Sequence, residues 1–165
     1  MTNQNPNRAF GLIPATEAVK MSGIEFLRGM LDATYPAPPV AEVTEIWPIF
    51  VEPGRVAFEA MPTARFYNPM GAVHGGWIAT LLDTAMGCAV HSILKAGQAF
   101  ATIEMKTVFV KPVFEKTGNL RCEATLLHAG SRIASSEGKI VDSAGNLIAH
   151  GSETCLIMDI DGSRR

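Results

Sequence analysis

The sequence predicts an α+β domain in which an antiparallel sheet wraps one long buried helix. Three observations carry this expectation. One helical segment is apolar on nearly every side, period-two alternation runs through the segments before and after it, and turn residues separate those segments.

The opening Met1-Thr-Asn-Gln-Asn-Pro-Asn-Arg8 is polar and lacks the apolar stretch of a signal peptide. Residues 1–15 read as a flexible tail and 16–160 as a single domain. From Thr16 to about Leu31, the apolar Val19, Met21, Ile24, Phe26, Leu27, Met30 and Leu31 fall at mixed helical spacings. Thr16 can cap a short N-terminal helix, or the first of two. Pro36, Pro38 and Pro39 then interrupt regular helix and read as a linker. Segments 41–51 and 54–62, joined through Glu52-Pro-Gly-Arg55, form a hairpin.

After a loop at 63–72 comes the long helix, about residues 73–95. Trp77, Ile78, Leu81, Leu82, Ala85, Met86, Ala89, Val90 and Ile93 cover most of its circumference, so it is buried. Lys95-Ala-Gly97 ends it. Four strands follow, at 100–111, 119–128, 131–142 and 146–158, the last two joined through Asp142-Ser-Ala-Gly145. In the first of them Ile103, Met105, Thr107 and Phe109 alternate with Thr102, Glu104, Lys106 and Val108.

Composition narrows the function. A net charge of −2 with no Lys/Arg run gives no electrostatic basis for binding nucleic acid. No apolar run reaches the roughly 18–20 residues of a membrane span. Cys88, Cys122 and Cys155 are odd in number and widely spaced, which suits neither a disulfide framework nor a zinc site. A reduced, cytoplasmic protein is expected. His91, His128 and His150 lack metal-ligand spacing, and no metal or redox cofactor is expected.

The chemistry concentrates in Asn68-Pro-Met-Gly71-Ala-Val-His74-Gly75-Gly76-Trp-Ile-Ala-Thr-Leu-Leu-Asp83-Thr84. Gly75-Gly76 opens a long helix although each glycine costs about 1 kcal/mol relative to alanine inside one. Two readings fit: an oxyanion hole of open backbone N–H groups at the positive end of the helix dipole, or close packing of the helix start against a strand. Asp83 is the only acid between Glu59 and Glu104. It stands either at a solvated helix edge or in a water-poor cleft as a general base or nucleophile. Thr80, Thr84 and Gly87, its helical neighbours, are small or hydroxylic and suit a cleft.

The pattern Asn-x-x-Gly-x-x-His-Gly-Gly, with Asp nine positions after the histidine, resembles the PaaI-type hotdog-fold acyl-CoA thioesterases. The likeness continues through Thr102-Ile-Glu-Met-Lys-Thr-Val-Phe-Val-Lys-Pro112 and the closing strand pair with Gly130-Ser-Arg132, over roughly residues 40–158. It implies hydrolysis of an acyl-CoA to a free acid and CoA. Asp83 would activate water or attack the thioester, and the Gly75 N–H would polarise its carbonyl. Asn68 would hold the water or the carbonyl, His74 would orient the helix start, and Thr102 would position the water. For the CoA phosphates, Arg132 is the preferred cation, with Lys111 and Arg121 as further candidates. Trp77, Met86, Phe66 and Tyr67 are candidates for lining an acyl pocket. Two other readings remain open: a hotdog enoyl-CoA hydratase or dehydratase, and a non-catalytic acyl-CoA-binding module.

Geometry adds an expectation of its own. Gly75 and Asp83 lie eight residues apart, about 12 Å along one helix. An oxyanion donor and a base must both reach one carbonyl carbon. Two antiparallel helices about a two-fold axis meet that need, so a homodimer, or a dimer of dimers, is expected.

Overall fold

A computed structural model describes residues 9–160. Of the expected tail, residues 1–8 lie outside the described residues. The next few are docked: the Gly11 N–H donates to the Ala37 carbonyl, and Phe10 packs its ring 5.7 Å from that of Trp47.

Two helices open the domain, α1 (Ala15–Ala18) and α2 (Gly23–Leu31). Thr16 is not a cap, because Pro14 precedes α1 and Thr16 lies within it. The effective signal is Ser22-x-x-Glu25, a capping box in which the Glu25 carboxylate accepts from the Ser22 N–H at 2.8 Å and hydroxyl at 2.6 Å. The proline linker also holds a surprise. Pro39–Thr44 is a short helix, α3, with proline at its first positions, where the missing N–H costs nothing. Glu45, with φ 58°, ends it, so the hairpin begins at residue 46 and not at 41.

Strands β1 (Ile46–Glu52) and β2 (Arg55–Ala60) form that hairpin. The central helix α4 (Gly75–His91) follows, then β3 (Gln98–Phe109), β4 (Leu120–Ala129), β5 (Ile133–Val141) and β6 (Leu147–Asp159). All pairings are antiparallel, and the sheet order is β1-β2-β4-β5-β6-β3. The last strand therefore separates β3 from its sequence neighbours and sends it to the far edge. The sheet wraps α4, burying Trp77, Ile78, Leu81, Leu82, Ala85, Met86, Ala89 and Val90. Gly138 of β5 faces Gly151 of β6, and Met86 seats on the pair. A Cβ at Gly138 would meet Met86 Cγ at 2.9 Å, so these glycines set how closely the sheet approaches the helix. Met86 is thus core, with no exposure, and not a pocket wall.

The sheet ends at β3, whose outer edge pairs with no strand among the described residues. That edge exposes Ile103, Val108 and Phe109, with Val110 just beyond. Among the described residues no helix is long and apolar enough to cross a membrane.

Candidate active site

The loop before α4 is tied by the asparagine that precedes Pro69. Asn68 Oδ1 accepts from the Met70 N–H at 2.9 Å and the Ala72 N–H at 3.2 Å, while the Asn68 N–H donates to the Ala72 carbonyl at 2.7 Å. Two backbone donors fix the side-chain oxygen towards the loop, so only the amide Nδ2–H groups are left for a ligand.

His74 is the N-cap of α4. Its Nδ1 accepts from the Gly76 N–H at 2.9 Å, and its own N–H donates to the Phe66 carbonyl at 2.7 Å. An accepting Nδ1 puts the ring proton of the neutral imidazole on Nε2. This leaves Gly75 as the first helical residue, its N–H without an acceptor among the described residues. Both glycines also have a packing reason. A Cβ at Gly75 would lie 3.2 Å from Phe109 Cζ, and one at Gly76 would lie 2.9 Å from His74 Nδ1. Close packing and an open N–H thus coexist here.

Asp83 is half-buried two turns further along α4. Thr102 of β3 reaches it through a bulge. Thr102 pairs with Cys155 and Glu104 with Thr154, so Ile103 is an extra residue. Strict alternation would have put Thr102 on the side of Glu104 and Lys106. The bulge instead turns Thr102 to the helix side, where Met105 packs on the core. There the Thr102 hydroxyl lies 2.7 Å from Glu153 Oε1 and 3.4 Å from Asp83 Oδ1.

Glu153 is the residue sequence reasoning missed. It is only 2% exposed, and Cys155 Sγ lies 3.0 Å from its Oε1. Its Oε2 is buried without a partner among the described residues. Burial pushes its carboxyl above the ordinary carboxylate range; bonds from Cys155 and Thr102 oppose that rise, and the Asp83 charge adds to it. The available signal was the inward register of β6, in which an acid at 153 falls between Gly151 and the apolar Cys155 and Ile157. Gly87 of α4 makes the room. A Cβ there would stand 2.9 Å from the Phe100 ring and 3.5 Å from Glu153 Oε1. Cys88, beside it, is held as a thiol: burial, with Glu153 and Asp83 nearby, pushes its pKa up to about 12.

The three candidate phosphate-binding cations are not brought together. Arg132 precedes β5, whose Ile133 aligns through Leu156 with Ala101, next to Thr102. Lys111 lies just past the opposite end of β3. Arg121 sits on β4 opposite Glu59 and is paired with Glu123 at 2.9 Å. Among the described residues no group of three or more His, Cys, Asp or Glu is arranged to hold a metal ion. An apolar slot, lined by Met30, Val40, Trp47, Phe58, Thr84 and Cys88, opens beside α4. Of the residues expected to line a pocket, Trp77 is buried with its ring stacked 4.9 Å from Phe66, and neither lines this slot.

An antiparallel six-stranded sheet curled around one long helix defines the hotdog class. Comparison with known proteins agrees. Residues 70–149 match the thioesterase superfamily. The proofreading thioesterase EntH of Klebsiella pneumoniae is 30% identical over 95 residues, 58% of this chain and 68% of its own length. A Halobacterium salinarum protein bearing an esterase name is 35% identical over 88 residues, 52% of this chain; the match spans 56% of that protein. A Ralstonia eutropha crystal structure, titled as a thioesterase related to phenylacetic acid degradation, superposes with TM-score 0.72 at 27% identity. It covers 79% of this chain and 98% of its own. The chain belongs to the thioesterase superfamily. The names of its relatives support a hydrolase activity, and the likeness to a phenylacetate-related thioesterase agrees with the PaaI-type pattern around His74-Gly75-Gly76.

Proposed function

We propose that this protein hydrolyses an acyl-CoA thioester to a free carboxylic acid and CoA. The observation that carries the reading is the division of α4 into two half-sites. One end offers the unengaged Gly75 N–H, and about 12 Å further along stands Asp83, the only acid on the helix, beside Thr102.

In the proposed reaction Asp83 takes a proton from a water that adds to the thioester carbon. The developing oxyanion is held by the Gly75 N–H, a type of contact worth about 10²–10³ in rate, with the Asn68 amide assisting. The C–S bond then breaks, and the CoA thiolate takes up the proton. Direct attack by Asp83, through a mixed anhydride that water then hydrolyses, uses the same groups.

Since one helix cannot bring both groups to one carbonyl, Gly75 of one subunit would work with Asp83 of the other. The long apolar edge of β3 supports a homodimer, because an exposed row of strand N–H and C=O groups is a template for pairing with a second copy. Such dimers would pair further in a dimer of dimers. Arg132, at the level of Thr102, is the proposed phosphate contact, and the slot over Thr84 and Cys88 the proposed acyl site. Three free cysteines suit the cytoplasm.

The test is release of free thiol from short, medium and aromatic acyl-CoAs by the wild-type protein. Turnover on at least one supports the reading. Hydration of an enoyl-CoA without thiol release, or binding without turnover, would replace it with one of the two rival readings.

A further inference from the structure

The buried Glu153 has no part in the mechanism proposed above, yet it makes the shortest contact to the threonine that faces Asp83. We propose that Glu153 is a positioning residue that works as a neutral acid, donating to Thr102 so that the threonine's own proton is free to point at Asp83 or its water. This inference rests on the thioesterase reading and deepens it.

Thr102 has a single hydroxyl proton and two carboxylate oxygens within reach, at 2.7 and 3.4 Å. If both acids are ionised, that proton goes to the nearer Glu153, and Asp83 receives nothing. If Glu153 is protonated on Oε1, it donates to Thr102 Oγ1, and the threonine proton turns the other way. Every donor in the row is then used.

The surroundings favour the neutral form. An ionised carboxylate offers about four lone-pair sites. Here Oε1 faces Thr102 and Cys155, and Oε2 has no partner among the described residues. An orphaned carbonyl oxygen is tolerable in a buried site, whereas an orphaned charge is costly. From α4, Glu153 is faced by the Asp83 carboxylate and the Cys88 thiol, and from its own strand by the Cys155 thiol. On β3 and β5 its register partners are Met105 and Ser136, neither of which titrates, and Thr102 is the remaining contact. No cation is among the groups that act on it.

Ionisation of Glu153 would therefore switch the threonine proton away from Asp83 and set two charges side by side. The rate should fall with rising pH as Glu153 ionises.

The experiment compares kcat from pH 4.5 to pH 10 for wild type, Glu153→Gln and Glu153→Leu, using whichever acyl-CoA the wild type turns over. A glutamine amide donates to Thr102 as the neutral acid does but does not titrate. The expected result is a fall of kcat with rising pH in wild type that disappears in Glu153→Gln, with Glu153→Leu at least tenfold slower than Glu153→Gln at neutral pH. A falling limb unchanged in Glu153→Gln, or a folded Glu153→Leu as fast as Glu153→Gln, would overturn the positioning role alone. Thermal unfolding across the same pH range gives a readout without turnover. Glu153→Gln should reduce the loss of stability as pH rises above about 4.5, because a carboxyl with a raised folded pKa loses its stabilising share between its unfolded and folded pKa. An unchanged pH–stability profile would overturn the neutral state. Failure of the wild type on every acyl-CoA would overturn the thioesterase reading, and with it the role in catalysis.

Discussion

Asp83→Asn separates catalysis from folding, because the structure assigns the two very different magnitudes. The substitution keeps the shape of the side chain and removes its charge. Its one side-chain bond among the described residues is the 3.4 Å contact from Thr102, at the outer limit for a hydrogen bond. A bond of that kind contributes at most about 1 kcal/mol. Removing a negative charge near the buried Glu153 acts in the other direction. For a domain of this size about 1 kcal/mol moves Tm by about 2–4 °C, so the variant should melt within about 4 °C of wild type. The rate should respond on another scale. Losing a general base costs about 10²–10⁴-fold, which is about 2.7–5.4 kcal/mol of barrier. Circular-dichroism melting, size exclusion and thiol release on one preparation give all three readings. A variant that keeps more than about a tenth of the wild-type kcat would refute Asp83 as base or nucleophile. A loss of activity accompanied by a Tm drop beyond about 10 °C would make Asp83 a structural residue.

Thr102→Ala should lower kcat more than it raises KM, since the hydroxyl is proposed to orient water and not to bind CoA. An unchanged kcat would make Thr102 an ordinary strand residue. His91 yields a prediction about stability. Burial holds its pKa down to about 4, with both ring nitrogens, between the Phe26 and Phe100 rings, unpartnered among the described residues. The unfolded chain binds that proton from about pH 6.5 downward and the folded chain only near pH 4, so stability falls as pH drops through this window. The His91 share approaches roughly 3 kcal/mol at the acid end, from about 1.4 kcal/mol per pH unit. Urea denaturation at pH 7 and pH 4.5 should show a smaller acid loss in His91→Leu than in wild type, and equal losses would contradict the burial argument.

Much of the architecture was legible because it is written in periodicity. The all-round apolar stretch from Trp77 to Val90 and the alternation in the later strands each have one comfortable solution, a helix inside a sheet. The helix α3 was not legible in the same way, since Pro38-Pro39 breaks a helix in its interior but starts one at its first turn. The site divides along similar lines. Asp83 stood out as a lone acid in an apolar helix, a local contrast. The approach of Thr102 to Asp83 depends on the bulge at Ile103, and a single extra residue leaves the composition of a strand unchanged while reversing which face its side chains take. Glu153 was hidden for a related reason. Seventy residues separate it from Asp83, and only the pairing of β6 with β3 brings it to the same hydroxyl.

The central claim, that each site draws on two subunits, is tested most directly by mixing two dead variants. Asp83→Ala and Asn68→Ala should each be nearly inactive as homodimers, because each damages both sites. The 12 Å or so between Gly75 and Asp83 along one helix assigns Asp83 and Asn68 of the same chain to different sites. After the two variants are unfolded and refolded together, a mixed dimer collects both lesions in one site and none in the other. Random pairing makes half the dimers mixed, so roughly a quarter of all sites should be intact. The measurement is thioesterase activity after co-refolding, against the two variants refolded separately and then combined. The account predicts recovery near a quarter of wild type in the first sample only. No recovery, with mixed dimers verified by two affinity tags, would mean that each chain carries a complete site.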